Sequence, residues 1–360
     1  MNKRLLALLA FAAAGLVSPL GATSPTCNLS GEHLMSWPTD NPVWEMCWLR
    51  PSASTGTNGS GLEIRNVYYN GHLVLKRAHV PMLNVEYDPG GCGCYRDWQN
   101  QEVVFHANNP IPGIPGYAEP TLPPHTVCDD GGSAGDCGPP DTDCFAGVAA
   151  EKLADRLILT TQFEAGWYRY TMKWRFFLDG RIEPAFGFSA IDASCVYHSH
   201  RHHAYWRLDF DIDGPGNDLV TEGPNPGPGG GGRGNPRFPI VTLPTEVMRR
   251  NNRPGMTWSV IDSVTHRGYR IVPGEEVALP ADNFSVGDFW ALRYKANEID
   301  DGGNIGDCPV DFSGFLNGET TASDVVVWYR TGWYHPPNSL DDCDLGGPTI
   351  YPIGDWSPSQ

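Results

Sequence analysis

The stretch that decides the fold is His198-Ser199-His200-Arg201-His202-His203-Ala204-Tyr205-Trp206-Arg207-Leu208-Asp209-Phe210-Asp211-Ile212. From Ala204 onward it alternates: Ala204, Trp206, Leu208, Phe210 and Ile212 are apolar, whereas Arg207, Asp209 and Asp211 are charged. Side chains on a strand point to opposite faces with period two, so the apolar set marks a buried face. Continued backward in register, the strand places His200 and His202 on that same face. A surface histidine tract that scavenges metal would show no such register. Two neutral imidazoles facing a core are costly unless each ring nitrogen has a partner, and a metal ion supplies one. Imidazole ligands suit copper or zinc, and copper binds such sites more tightly by the usual affinity order. Satisfied core histidines are the plainer alternative. A third ligand must come from elsewhere, and His198 is the nearest candidate.

The same reading extends outward. Leu157 to Phe163 and Tyr168 to Phe177 are rich in β-branched and aromatic residues. Asp179-Gly180 then predicts a hairpin, with Arg181 to Ala190 as the return strand. Val325 to Tyr329 reads as another strand, and Ala149 to Arg156 as one short helix. Tyr168 shares parity with Tyr170, Met172, Trp174 and Phe176, so it faces inward; a plain core tyrosine is the simplest account of it. Glycine and proline make up 74 of 360 residues, 42 and 32 respectively. That composition suits many strands joined by irregular loops. Two long loops are expected, 108–143 and 214–236, the second being internal rather than a domain linker.

Residues 1–22 carry Lys3 and Arg4, an apolar run from Leu5 to Val17, and small residues at Gly21 and Ala22. This order predicts a secretory signal peptide rather than a membrane anchor, with a secreted or periplasmic product. All ten cysteines lie beyond it, and an even count in an exported chain predicts disulfides. No C-x-x-C pair is present, which argues against a cysteine zinc site. The formal net charge of −17 argues against nucleic acid and anionic membranes as partners. It suits solubility and is compatible with a cationic substrate. Nothing after the first segment is apolar enough to span a bilayer.

Several segments resemble the catalytic domain of the copper amine oxidases. His200 to Gly214 is similar to that family's copper-ligand strand, where H-x-H is followed by Arg-Leu-Asp and an acidic turn. Gly61 to Ile64 and Leu73 to Arg77 resemble its opening strand pair. Val85 to Pro89 resembles its V-P-Y-G-D-P segment, and Asp97-Trp98-Gln99-Asn100 its S-W-Q-N. Gly268 to Gly274 resembles G-Y-K-L-x-P, and Asp324 to Pro336 the strand that ends in the last copper histidine. The order of six pieces makes the resemblance specific.

The resemblance implies an all-β fold, a large antiparallel β-sandwich over 61–345, preceded by an extension over 23–60 and followed by a tail over 346–360. The family's small N-terminal domains have no counterpart. It implies copper(II) held by His200, His202 and His335, with His335 in place of His198. Tyr168 falls where the family oxidises a tyrosine to topaquinone, and Tyr87 where a tyrosine hydrogen-bonds the quinone. The implied reaction is oxidation of a small-molecule primary amine by dioxygen, and the implied assembly is a homodimer. Three departures stand out. Trp167 replaces an asparagine, Arg169 replaces an acidic residue, and Val103 stands where the family has its catalytic aspartate, leaving Glu102 as the candidate base. The alternative function is a non-catalytic exported copper-binding protein on the same fold. A carbohydrate-binding β-sandwich with a structural metal is a third reading, suggested by the twelve tryptophans.

Overall fold

The computed structural model describes residues 24–358 apart from 89–91, 125, 127–136, 138–143, 191–192, 227–237, 275–281, 323 and 338–340, and without the side chains of 341–344. Two large, almost wholly antiparallel sheets dominate it, and among the described residues the helical elements are single 3-10 turns. The first sheet runs in spatial order His33–Trp37, Trp44–Leu49, Glu63–Tyr69, His72–Tyr87, His200–Phe210, Val325–His335, Phe289–Arg293 and Val247–Arg249. The short strand Cys94–Asp97 pairs beside His72–Tyr87. At the centre of the second sheet lie Arg156–Ala165, Tyr168–Phe177 and Ile182–Ala190. These two central groups face each other across one core.

The alternation that predicted the tyrosine strand, Tyr168–Phe177, is what the core uses. Tyr168, Tyr170, Met172, Trp174 and Phe176 are all buried. Trp174 crosses the core to meet Trp206 of the opposite sheet edge-on, with ring centroids 5.3 Å apart. Its indole nitrogen donates to the Leu62 carbonyl at 3.0 Å, so the aromatic body is buried without orphaning its polar tip. The Asp179-Gly180 hairpin forms as expected, with Phe177 paired to the Arg181 carbonyl and Gly180 at φ +86°. A Cβ at Gly180 would also lie 2.7 Å from the Tyr69 ring.

Four expectations are corrected. Ala149 to Arg156 is not a helix: Val148–Lys152 is a strand antiparallel to Arg156–Ala165, because Val148 and Ala150 alternate into the core. The charged face of the histidine strand, His200–Phe210, is not exposed. Arg207, Asp209 and Asp211 are buried, because a second aromatic cluster, including Tyr205, Trp290, Phe312 and Trp328, packs on that side of the sheet. Residues 23–60 are not a separate extension, since His33–Trp37 and Trp44–Leu49 are strands of the first sheet. The 346–360 segment likewise supplies Thr349–Ile353 to the second sheet. The signal-peptide segment 1–22 and Gly229 to Gly232 lie outside the described residues.

Four disulfides are present among the described side chains: Cys27–Cys47, Cys92–Cys195, Cys94–Cys308 and Cys137–Cys144. Cys92–Cys195 ties the turn before Cys94–Asp97 to the entrance of the histidine strand, and Cys94–Cys308 ties that short strand to the 300–311 loop. No helix among the described residues is long and apolar enough to cross a membrane.

Candidate metal centre and adjoining cavity

The register of three neighbouring strands builds the site. His200 pairs with His335 on one side and with Tyr87 on the other, so the three side chains share one row of the sheet. His202, two residues on, joins the same face, and all three histidines are buried. One ring nitrogen from each of His200, His202 and His335 lies within 4.8 Å of the other two. His200 Nε2 and His335 Nδ1 are 2.7 Å apart. Burial holds all three imidazoles neutral: His200 is lowered to about 4, His335 to about 3, and His202 well below its ordinary value. His198, the nearest candidate in sequence, is exposed and offers its backbone carbonyl instead.

The surroundings fix which nitrogen His200 and His202 present. A carbonyl can only accept, so His200 Nδ1–H donates to His198 O at 2.7 Å and the lone pair sits on Nε2. His202 Nδ1 is 3.0 Å from Tyr170 Oη, and Tyr170 Oη is 2.5 Å from Asp97 Oδ2. Tyr170 has one proton to give and gives it to the carboxylate, so His202 Nδ1 must be the donor. His202 Nε2 is then a buried lone pair, and no hydrogen-bond partner reaches it. Such orienting partners are what metal-binding imidazoles have. This donor set fits a copper ion: neutral imidazoles, tautomers set by outer partners, and a buried lone pair aimed at an otherwise unserved point.

Tyr168 adjoins that point. Its hydroxyl is 2.5 Å from His200 Nε2 and 3.3 Å from His335 Nδ1. Because His200 Nε2 carries the lone pair, the phenol is the donor. Tyr87 stacks on His200 with ring centroids 4.6 Å apart and lies beside Tyr168. Trp167 Nε1 donates to Tyr87 Oη at 2.8 Å. The donors are therefore Trp167 N–H toward Tyr87 and Tyr168 O–H toward His200. Burial pushes both phenols far up, so both are neutral at any working pH.

A cavity of about 220 Å³ opens beside Tyr168, walled mainly by Tyr87, Tyr95, Asp97, Trp98 and Trp167. It is largely apolar, and Asp97 is the acidic group on its wall. Desolvation raises the Asp97 carboxyl to about 7 against the opposing pull of the Tyr170 hydrogen bond. Trp167 sits at the tip of the hairpin joining Arg156–Ala165 to Tyr168–Phe177, with Gly166 at φ +58° making the turn. Arg169 points to the opposite face and pairs with Glu164 at 2.9 Å, so its charge stays out of the cavity.

Glu102 is not brought to the cavity. Its carboxylate accepts from Arg50 Nε at 2.7 Å, Ser52 N at 2.9 Å and Ser52 Oγ at 2.7 Å. Burial alone would raise it, but the Arg50 and Ser52 hydrogen bonds outweigh that and hold it below the ordinary carboxylate range. The carboxylate that does face Tyr168 is Asp97, which the sequence reading passed over. Its parity with Tyr95 and its place immediately before Trp98 were the available signals. A second group of acids, Asp209, Asp211 and Asp324, gathers on the other face of the histidine strand.

Residues 142–343 match the family described as "Copper amine oxidase, enzyme domain". Histamine oxidase of Arthrobacter globiformis is 25% identical, the alignment covering 78% of this chain and 50% of that protein. The chain thus spans about half the length of that curated relative. Among solved structures, a lysyl oxidase of Pichia pastoris superposes with a TM-score of 0.59 at 15% identity, covering 96% of this chain and 56% of that one. An Aspergillus nidulans amine oxidase gives 0.57 at 17% identity, covering 95% and 55%. A copper-containing benzylamine oxidase of Hansenula polymorpha gives 0.56 at 15% identity, covering 99% and 64%. At these identities the structural likeness establishes the fold.

Proposed function

The chain belongs to the copper amine oxidase family, in its enzyme domain, and on that premise we propose that it oxidises a primary amine. The balanced reaction is amine, dioxygen and water to aldehyde, ammonia and hydrogen peroxide. The observation that carries this reading is the convergence of Tyr168 Oη, His200 Nε2 and His335 Nδ1 within 3.3 Å of one another. A copper ion and a quinone made from the tyrosine would supply the redox chemistry, taking two electrons from the amine and passing them to dioxygen.

The protein's own groups divide the remaining work. His200, His202 and His335 hold the ion. Tyr168 is the residue to be oxidised, and Tyr87 lies beside it. Asp97 replaces Glu102 as the base that removes the proton from the amine's α-carbon, because it lines the cavity and its carboxyl is tuned to about 7. Tyr170 orients both Asp97 and His202. The aromatic walls keep water from the reacting carbon. Ten cysteines, with four disulfides among the described side chains, support placing the protein in an exported, oxidising compartment.

One observation favours a non-catalytic copper-binding protein instead. Trp167 is large where the family carries an asparagine, and it roofs the cavity against Tyr87 and Tyr95. The deciding experiment loads the protein with copper in air, titrates it with phenylhydrazine, and maps the Tyr168 peptide by mass spectrometry. Conversion of Tyr168 with stoichiometric hydrazine uptake is expected. An unmodified Tyr168 in copper-saturated protein overturns the oxidase reading in favour of copper binding alone.

A further inference from the structure

A second group of metal-ligating side chains is gathered by the small two-stranded sheet of Phe105–His106 and Cys144–Phe145. His106 and Cys144 are register partners in that antiparallel pair, so their side chains project from the same face. Cys144 is bonded to Cys137. One ligand atom from each of His106, Cys137 and Cys144 lies within 4.8 Å of the other two, and all three residues are half-buried. The opposite face carries Phe105 and Phe145, packed edge-on with ring centroids 5.7 Å apart and set against Ala107, Ala118 and Ala149. That aromatic anchor keeps His106 opposite Cys144 when the disulfide opens.

The thiolate, not the disulfide, is the metal ligand, so the bond must first be reduced. Among the described disulfides, Cys137–Cys144 spans 7 residues, against 20, 103 and 214 for the others. Loop-closure entropy grows with the span, so opening this bond costs the fold least. Cys137 and Cys144 are both half-buried, within reach of a small dithiol, whereas Cys47 of the Cys27–Cys47 pair is fully buried. The dithiol gives two electrons and two protons to the S–S bond and leaves as a cyclic disulfide, and Cys137 and Cys144 become thiols.

Two thiolates and an imidazole form a soft donor set of the kind that selects copper(I) or zinc. A structural zinc site takes four protein ligands, and three converge here among the described residues. Copper(I) is satisfied by two or three. We propose that the dithiol form of this chain binds one copper(I) ion through Cys137, Cys144 and His106, residues other than the histidine triad. The ion displaces the two thiol protons, and the imidazole adds a lone pair. When a disulfide oxidant takes two electrons from the two thiolates, the S–S bond forms again, the oxidant is reduced to thiols, and the ion is released. The site therefore holds copper only on the reduced chain and gives it up as the disulfide closes.

The test treats the full-length protein anaerobically with a small dithiol, removes the dithiol, and titrates copper(I) against a chromophoric copper(I) chelator. Alkylation and peptide mass spectrometry identify the opened bond. Cys137 and Cys144 are expected to be alkylated first. The reduced protein is expected to take up one more equivalent of copper(I) than the disulfide-intact protein. Cys137→Ser with Cys144→Ser should lose that equivalent and keep the copper(II) stoichiometry of the untreated protein. His106→Ala should weaken copper(I) binding by more than about tenfold, since even an outer partner of a metal ligand is worth that much. X-ray absorption on the unaltered, reduced protein should show two sulfurs and one nitrogen around the added copper, which settles the ligand set even where a variant misfolds. The proposal is overturned by the absence of an extra equivalent, or by one that survives the double serine substitution. It is equally overturned by a different disulfide opening first, by unchanged affinity in His106→Ala, or by zinc binding more tightly than copper(I).

Discussion

The indole nitrogen of Trp167 donates to the phenol oxygen of Tyr87 across 2.8 Å. An indole has no acceptor on that nitrogen, so Tyr87 is the acceptor of this bond and keeps its own proton to donate elsewhere. The tryptophan that breaks the family's pattern thus fixes the tyrosine that lies beside Tyr168. Trp167→Phe keeps a ring in the cavity roof and removes the N–H. Copper content should be unchanged, whereas kcat should fall about tenfold, near the worth of one hydrogen bond to a developing charge. Steady-state kinetics on copper-matched protein checks this, and an unchanged kcat would refute the positioning role.

Removing any one of His200, His202 or His335 by alanine should abolish stoichiometric copper binding. His198→Ala should not, because that side chain is exposed and only its carbonyl serves the site. Copper at a hundred times its dissociation constant adds about 2.7 kcal/mol to stability by mass action. The three alanine variants should lose that increment in thermal melts. Metal analysis beside the melts separates loss of ligand from loss of fold.

Asp97→Asn should lower kcat by about a hundredfold or more, the usual cost of losing a positioned base. A base must be unprotonated to act, and this carboxyl is raised to about 7. Activity should therefore rise with pH through that value and be low on the acid side. Glu102→Gln should behave differently. It breaks the Arg50 and Ser52 contacts, so it should lower the melting temperature and leave the pH profile in place. A pH profile that follows Glu102 would overturn the assignment of Asp97.

Stability should pass through a maximum in mildly acidic solution. On the alkaline side, Asp218 is raised to about 9 and Asp209 to about 7, chiefly by burial. Each favours folding while protonated, and that contribution fades as pH climbs from the unfolded value near 4 through the folded one. On the acid side, His79 and His202 are held far below their ordinary value by burial. Protonation in the unfolded chain then favours unfolding below about pH 6.5. In Asp218→Asn the alkaline arm should flatten, with a higher melting temperature at pH 9 and little change at pH 5. A parallel shift at both pH values would show that Asp218 does not titrate as described.

The strands were legible wherever one face was apolar and the other polar. Tyr168, Tyr170, Met172, Trp174 and Phe176 fell inward because period-two alternation says so, and His200 and His202 followed from the same rule. Alternation misled where burial is two-sided: Arg207 and Asp209 looked like a solvent face and are covered by the aromatic cluster around Trp328. The Val148–Lys152 strand is rich in alanine, which carries little strand signal of its own. Asp97 escaped because its role depends on Tyr170 and Trp98 meeting in space. Glu102 was proposed because its neighbours in sequence resembled a motif, but Arg50, 52 residues earlier, already holds it.

The central histidine strand has partners far away along the chain on both edges. Its neighbours are His72–Tyr87 and Val325–His335, so neither edge can form from local sequence. Loop closure over such spans is slow and comes late in folding. Copper then cannot act as an early template, since no pair of its ligands beyond His200 and His202 is adjacent before the last edge docks. Metal added during refolding should barely change the refolding rate, whereas metal on the finished protein should lengthen its unfolding half-life.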